Sequence, residues 1–92
     1  RNISRCRSPS RSLAGTSIFY QVGGAPSYVS LKIYNIAGQL IKVLVDQRMA
    51  PGYYRAVWDG RDGRGQRVSA GVYLFRLQAG GQSLTRKMVY IH

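Results

Sequence analysis

Apolar residues recur at every second position over much of this chain, and clusters of Gly, Pro, Asn and Asp interrupt the pattern. Between Tyr28 and Tyr34, Val29, Leu31 and Ile33 share one side and Ser30, Lys32 and Tyr34 the other. That is the period of a strand with one buried and one wet face. The same alternation puts Tyr54, Ala56 and Trp58 on one face of residues 53–59, and Tyr73, Phe75 and Leu77 on one face of residues 72–78. Residues 16–22 (TSIFYQV) and 83–91 supply a first and a last strand. Gly23, Gly24 and Pro26, then Ala50 to Gly52, then Gly80 and Gly81 mark the turns.

The segment Gln39–Val45 (QLIKVLV) is nearly continuous in apolar residues, which fits either a central strand or a bulge that swaps faces midway. Leu40, Ile41, Leu44 and Val45 also fit helical spacing. The segment is β-branched and follows the tight turn Asn35–Gly38 directly, so it is read as the second arm of a hairpin. Six strands result, joined by connections too short for parallel crossovers. The fold class is all-β, an antiparallel immunoglobulin- or fibronectin III-like sandwich of six to seven strands. Its expected core is Trp58, Tyr54, Tyr73, Phe75, Leu77, Leu31 and Ile33, with Trp58 as anchor and its indole N–H seeking a backbone carbonyl.

Composition changes this picture at the two ends of the problem, domain organisation and partners. Residues 1–15 (RNISRCRSPSRSLAG) carry four Arg, four Ser and little that is apolar, the makeup of an extended or disordered segment; the folded domain is placed at 16–92. A chain of 92 residues makes one domain with one core, too small for a deep catalytic cleft. Cys6 is unpaired, an inert thiol or a bridge to another chain, so packing alone holds the domain together. No apolar run is long enough for a membrane span, and none resembles a signal peptide. The first residue is Arg1, which suggests a piece of something longer, so the missing signal does not exclude export.

Fourteen Lys and Arg against three Asp, with no Glu, give a formal charge of +11. Such a surface attracts polyanions, among them nucleic acid, anionic surface polysaccharide or an acidic protein. It also keeps an exported domain soluble, and Lys32, Lys42 and Arg55 at solvent-facing strand positions would protect sheet edges. Nucleic acid is disfavoured, because Tyr54, Trp58, Tyr73 and Phe75 alternate into the core whereas stacking platforms must be exposed.

Candidate chemistry is sparse. Nucleophilic catalysis needs a base, and the single His is His92, with no Glu to orient it. Asp59 and Asp62 lie in the polar loop 60–71 and its approach, flanked by Arg61, Arg64 and Arg67. That is a poor calcium cage, and the arginines would lower the carboxylate pKa values. The two Asp are expected to accept loop amides and pair with the arginines. No catalytic residue, cofactor or metal site is assigned, and the chain is read as a non-enzyme.

The strings VSLKIYNIAGQLIKVLVD, APGYYRAVWDGRDGRGQRVSAGVYLFRL and TRKMVYIH, taken together, resemble the C-terminal sorting domain of type IX secretion substrates, which shares an immunoglobulin-like fold with a domain of the flagellar hook-capping protein. The resemblance covers about residues 16–92 and is most specific in Trp58, Asp59, Gly60, Asp62, Gly65 and Gly71 to Tyr73. It implies a non-catalytic domain at the cell surface or outside the cell. There a secretion or surface-attachment apparatus would recognise it, with the terminal-strand residues Thr85, Arg86, Lys87, Met88 and Val89 as the expected contact. The alternative is a structural subunit of an extracellular filament or surface assembly, joined to copies of itself by strand exchange. Thr16–Val22 would then be the donor strand and Ser83–Ile91 the edge receiving it.

Overall fold

The alternation just described becomes two facing antiparallel sheets in a computed structural model that describes residues 3–6, 10–12 and 15–91. Among these residues the strands are β1 (Ile3–Cys6), β2 (Ser10–Ser12), β3 (Gly15–Val22), β4 (Ser27–Asn35), β5 (Leu40–Met49), β6 (Gly52–Trp58), β7 (Gly71–Ala79) and β8 (Gln82–Tyr90). One sheet has the order β5-β4-β7-β8. The other is built around β3, which pairs with β6 along Thr16–Val22.

The apolar side of each alternating strand supplies the layer between the sheets. Ile18 and Val22 from β3, Val29, Leu31 and Ile33 from β4, Trp58 from β6, and Phe75 and Leu77 from β7 are essentially fully buried there. Burying a side chain of this size contributes about 1.5–3 kcal/mol. Tyr73, Met88 and Tyr90 close the layer at one end. Tyr54, expected in the core, is partly buried at its margin, stacked on Tyr20 at 5.7 Å with its hydroxyl donating to the Ala50 carbonyl at 2.6 Å. Among the described residues no buried side-chain polar atom lacks a hydrogen-bond partner.

The structure bears on three sequence expectations. First, of the two readings of Gln39–Val45 the bulge holds, since β5 is an edge strand carrying two bulges: Leu44 falls between the pairs Leu31–Val45 and Lys32–Val43, and Ile41 between Ile33–Lys42 and Tyr34–Leu40. The extra residues let Ile41, Leu44 and Val45 all pack on the core, which accounts for an apolar run that strict alternation cannot. Lys42 therefore stands opposite inward-facing Ile33 between the bulges and is only partly exposed.

Second, Thr16–Val22 is no donor for another chain. Its far edge is occupied too, by β1 opposite Tyr20–Val22 and by β2 opposite Gly15–Ser17. A strand hydrogen-bonded on both sides has no free ladder to offer. Third, the described parts of the Arg/Ser-rich head are therefore these two short strands. The Cys6 side chain and His92 lie outside what the structure describes.

Candidate functional site

The long β6–β7 connection is built as a plug over one end of the core. Trp58 ends β6 fully buried, and its indole Nε1–H donates to the Arg61 carbonyl at 2.9 Å. Tyr73 meets the indole edge-on with centroids 5.3 Å apart, and Tyr90 lies tilted at 5.1 Å. The Tyr73 hydroxyl donates to the Ser69 carbonyl at 2.7 Å, and Arg67 Nη1 donates to the Tyr90 hydroxyl at 3.0 Å. Gly60 turns the chain in the left-handed region, φ +78°, directly beneath the Tyr90 ring. Gly71 begins β7. The run from Trp58 to Tyr73 thus closes one end of the core through these hydrogen bonds and ring contacts.

Within that loop, Asp62–Gln66 (DGRGQ) repeats the backbone-closing bonds of the β4–β5 turn Asn35–Gln39 (NIAGQ), which adds one of its own from Asn35 Nδ2 to Gln39 Oε1 at 2.7 Å. Asn35 Oδ1 accepts the amides of Ala37 and Gln39 at 3.0 and 2.9 Å, as Asp62 Oδ1 accepts those of Arg64 and Gln66 at 2.9 and 3.0 Å. The first residue's N–H donates to the last one's carbonyl in both, and the fourth residue's N–H to the first one's carbonyl. The fourth residue is a glycine at φ +86° (Gly38) or +84° (Gly65). Side-chain capping of a turn by Asn or Asp in this way is a local effect that the sequence alone can encode. The second loop touches β5 just beyond the first: the Gly63 amide donates to the carbonyl of Ile41, one of the β5 bulge residues, at 2.9 Å. A shallow groove lies between them, lined by Gln39–Val43 and Asp62–Arg64.

The electrostatics of the loop follow from these bonds rather than from ion pairing. The Asp62 carboxyl is held below its ordinary pKa chiefly by the Gln66 amide, against some desolvation, with the Arg64 amide and the charges of Arg64 and Lys42 adding to it. Asp59 Oδ1 accepts the Arg61 amide at 3.1 Å. Asp59 and Asp62 thus accept loop amides as expected, while Arg61 Nη1 donates to the Gly65 carbonyl at 2.9 Å and Arg67 to Tyr90. Among the described residues no three His, Cys, Asp or Glu side chains cluster closely enough to hold a metal ion. Among the described residues no helix is long and apolar enough to cross a membrane.

The terminal strand β8 is the other edge of the four-stranded sheet, paired with β7 from Gly71–Tyr90 to Ala79–Gln82 without a bulge. Thr85, Lys87 and Val89 face outward and are exposed, and Met88 is buried. Arg86 stands opposite buried Phe75, on the inward row between Leu84 and Met88, yet is exposed at the sheet's rim. An inward-pointing cation of this kind discourages another strand from adding to a flat edge.

Residues 11–83 match the family model of the FlgD Ig-like domain, more than half of the chain. The chain belongs to that family. No curated protein matches it. In this FlgD Ig-like domain the matched span runs from β2 into the start of β8 and contains both Asx-closed loops. What sequence reasoning missed was the equivalence of those loops, though its signal was present as Asn/Asp-x-x-Gly-Gln at 35–39 and 62–66. It also missed the outer face of the four-stranded sheet. There Val72 and Leu74 alternate with the core residues Tyr73 and Phe75, leaving one end of β7 apolar on both sides.

Proposed function

We propose that this FlgD Ig-like domain is a non-catalytic structural module through which a longer exported protein is joined to an extracellular or surface assembly of proteins. The observation that carries the reading is the family match, and the use of the polar loop residues to hold the fold agrees with it. A hook-capping relationship points to protein partners rather than to a small ligand. The test is removal of residues 11–92 from the parent protein, followed by cell fractionation. The remainder should fold and keep its own activity while disappearing from the surface assembly. A parent that still assembles normally without the module overturns the reading.

A second reading, in which the domain is a sorting signal recognised by a secretion apparatus, is favoured by the regular exposed edge of β8 with Thr85, Lys87 and Val89 facing outward. Truncating β8 is a poor test, because Met88 and Tyr90 belong to the core and their loss would unfold the domain. The informative variant is Thr85→Asp/Lys87→Glu/Val89→Asp in a domain fused behind a reporter. The sorting reading expects a folded fusion that is no longer exported, and unchanged export counts against it.

A further inference from the structure

The outward residues of the four-stranded sheet form rows across its strands, and the rows are graded in character. At the end bearing the Asn35–Gln39 turn, Leu40, Tyr34 and Leu74 occupy adjacent positions on β5, β4 and β7, and Val72 lies beside Val89 on β7 and β8. Leu40 and Val89 are each 53% exposed. The next row holds exposed Val43, then Lys32 directly opposite Arg76, then Thr85, and the row beyond is Asp46, Ser30, Gln78 and Ser83. An apolar band thus runs over β5, β4 and β7 and steps to Val89 on β8 beside Lys87, which stands opposite Leu74, and the cationic pair Lys32–Arg76 lies along its border.

The cationic pair is costly to the isolated domain. Like charges directly opposite on neighbouring strands repel. The chain has three carboxylate side chains, of which Asp59 and Asp62 are in the β6–β7 loop. Asp46, the one on this face, lies a row away from Lys32 and accepts the Tyr28 hydroxyl. A carboxylate brought by another molecule would relieve the repulsion where the apolar band could be covered at the same time. A second copy of this chain brings no such group, since its own face carries the same cations on a chain of net charge +11. Nucleic acid would satisfy the cations but leave Leu40, Val72, Leu74 and Val89 against a polar backbone.

We propose that the outer face of β5-β4-β7-β8 is the docking surface of the module, and that its occupant is a different protein presenting an apolar ridge bordered by Asp or Glu. The apolar band supplies the contact area, and Lys32 and Arg76 supply register and partner choice, the usual division between apolar centre and charged border. The inference rests on the assembly reading and specifies which surface that reading uses.

The test is site-specific photo-cross-linking in cells that make the parent protein, with a benzophenone amino acid placed at Leu74 on this face or at Tyr53, 77% exposed on the opposite sheet. The expected result is an adduct at Leu74 and not at Tyr53. Mass spectrometry should place the partner's cross-linked peptide beside Asp or Glu, and Lys32→Glu/Arg76→Glu should reduce the adduct about tenfold while the melting curve is retained. Adducts at Tyr53 alone overturn the choice of face and leave the assembly reading standing; no protein adduct at either position overturns both. Adducts to a second copy or to nucleic acid overturn the proposed occupant.

Discussion

Gly60 lies beneath the phenol ring of Tyr90, so the first turn of the β6–β7 loop and the end of the last strand are in direct contact. A methyl group on Gly60 would meet Tyr90 Cε1 at 2.6 Å, and the residue also sits at φ +78°. Gly65 shares the left-handed backbone, φ +84°, but faces open space. Gly65→Ala should therefore cost only the backbone penalty, about 1–2 kcal/mol. Gly60→Ala adds displacement of Tyr90 from Trp58 and Arg67, roughly a further 1–3 kcal/mol. Urea unfolding of the two variants measures the difference, and equal losses would mean that Tyr90 does not rest on Gly60.

Trp58 unites the core with the loop, so its two functions can be separated by substitution. Trp58→Ala empties the centre of the Tyr73–Tyr90 cluster and should cost about 3–5 kcal/mol, enough to unfold a domain of ordinary stability. Trp58→Phe keeps most of the packing but leaves the Arg61 carbonyl without its indole donor, a loss of about 1–3 kcal/mol if water cannot reach it. Denaturation midpoints in the order wild type, Phe, Ala are expected. A Phe variant as stable as wild type would show that the Arg61 carbonyl finds another donor.

Much of the core was legible from the chain because period-two alternation is a local property. Val29, Leu31 and Ile33 announce their face without knowledge of any partner strand, and Trp58 is read the same way. The bulges of β5 were legible only as an ambiguity, since one of them is tied to the Gly63 amide from a loop distant in sequence. The pairing of β1 and β2 on β3 could not be seen, because main-chain ladders form without apolar side chains and the head's composition carries no trace of them. The outer apolar band needs register: Leu40, Tyr34 and Leu74 become neighbours only when three strands are aligned.

The equivalence of the two Asx-closed loops predicts that Asp62→Asn keeps the loop's backbone bonds, because Asn35 already holds the same bonds with an amide oxygen. What the variant loses at neutral pH is the contribution of the charge. A carboxyl whose folded pKa lies below its unfolded value stabilises the fold above the unfolded value, near 4, and that contribution disappears as pH falls through the folded one. Amide shifts of Arg64 and Gln66 should move together below about pH 4 in the wild type and stay constant in Asp62→Asn. Movement in both proteins would assign the acid response to another group.

At alkaline pH the sign is reversed. Burial, with Tyr54 adding, raises the pKa of Tyr20, and burial, with Tyr90 adding, raises that of Tyr73. The folded state therefore favours the neutral phenols, and their contribution is intact below the ordinary tyrosine value, about 10, and lost as pH climbs through the folded values. Melting temperature should not respond to tyrosine ionisation up to about pH 9.5 and should fall beyond it, with Tyr20→Phe blunting the fall. A decline that Tyr20→Phe leaves unchanged would exclude Tyr20 as a source.

Arg86 offers the test of how the terminal edge is kept single. It occupies an inward register position opposite Phe75, between Leu84 and Met88, so an apolar residue there would complete the buried row and flatten the strand. Arg86→Val should raise stability modestly, by about 0.5–1 kcal/mol, since valine suits a half-buried strand position better than a cation does. The same change removes the charge that keeps a second strand away from a bulge-free edge. Light scattering should then show association that grows with protein concentration and exceeds that of wild type under the same conditions. If Arg86→Val gains stability and does not self-associate more than wild type, protection of the edge must come from Thr85, Lys87 or the net charge instead.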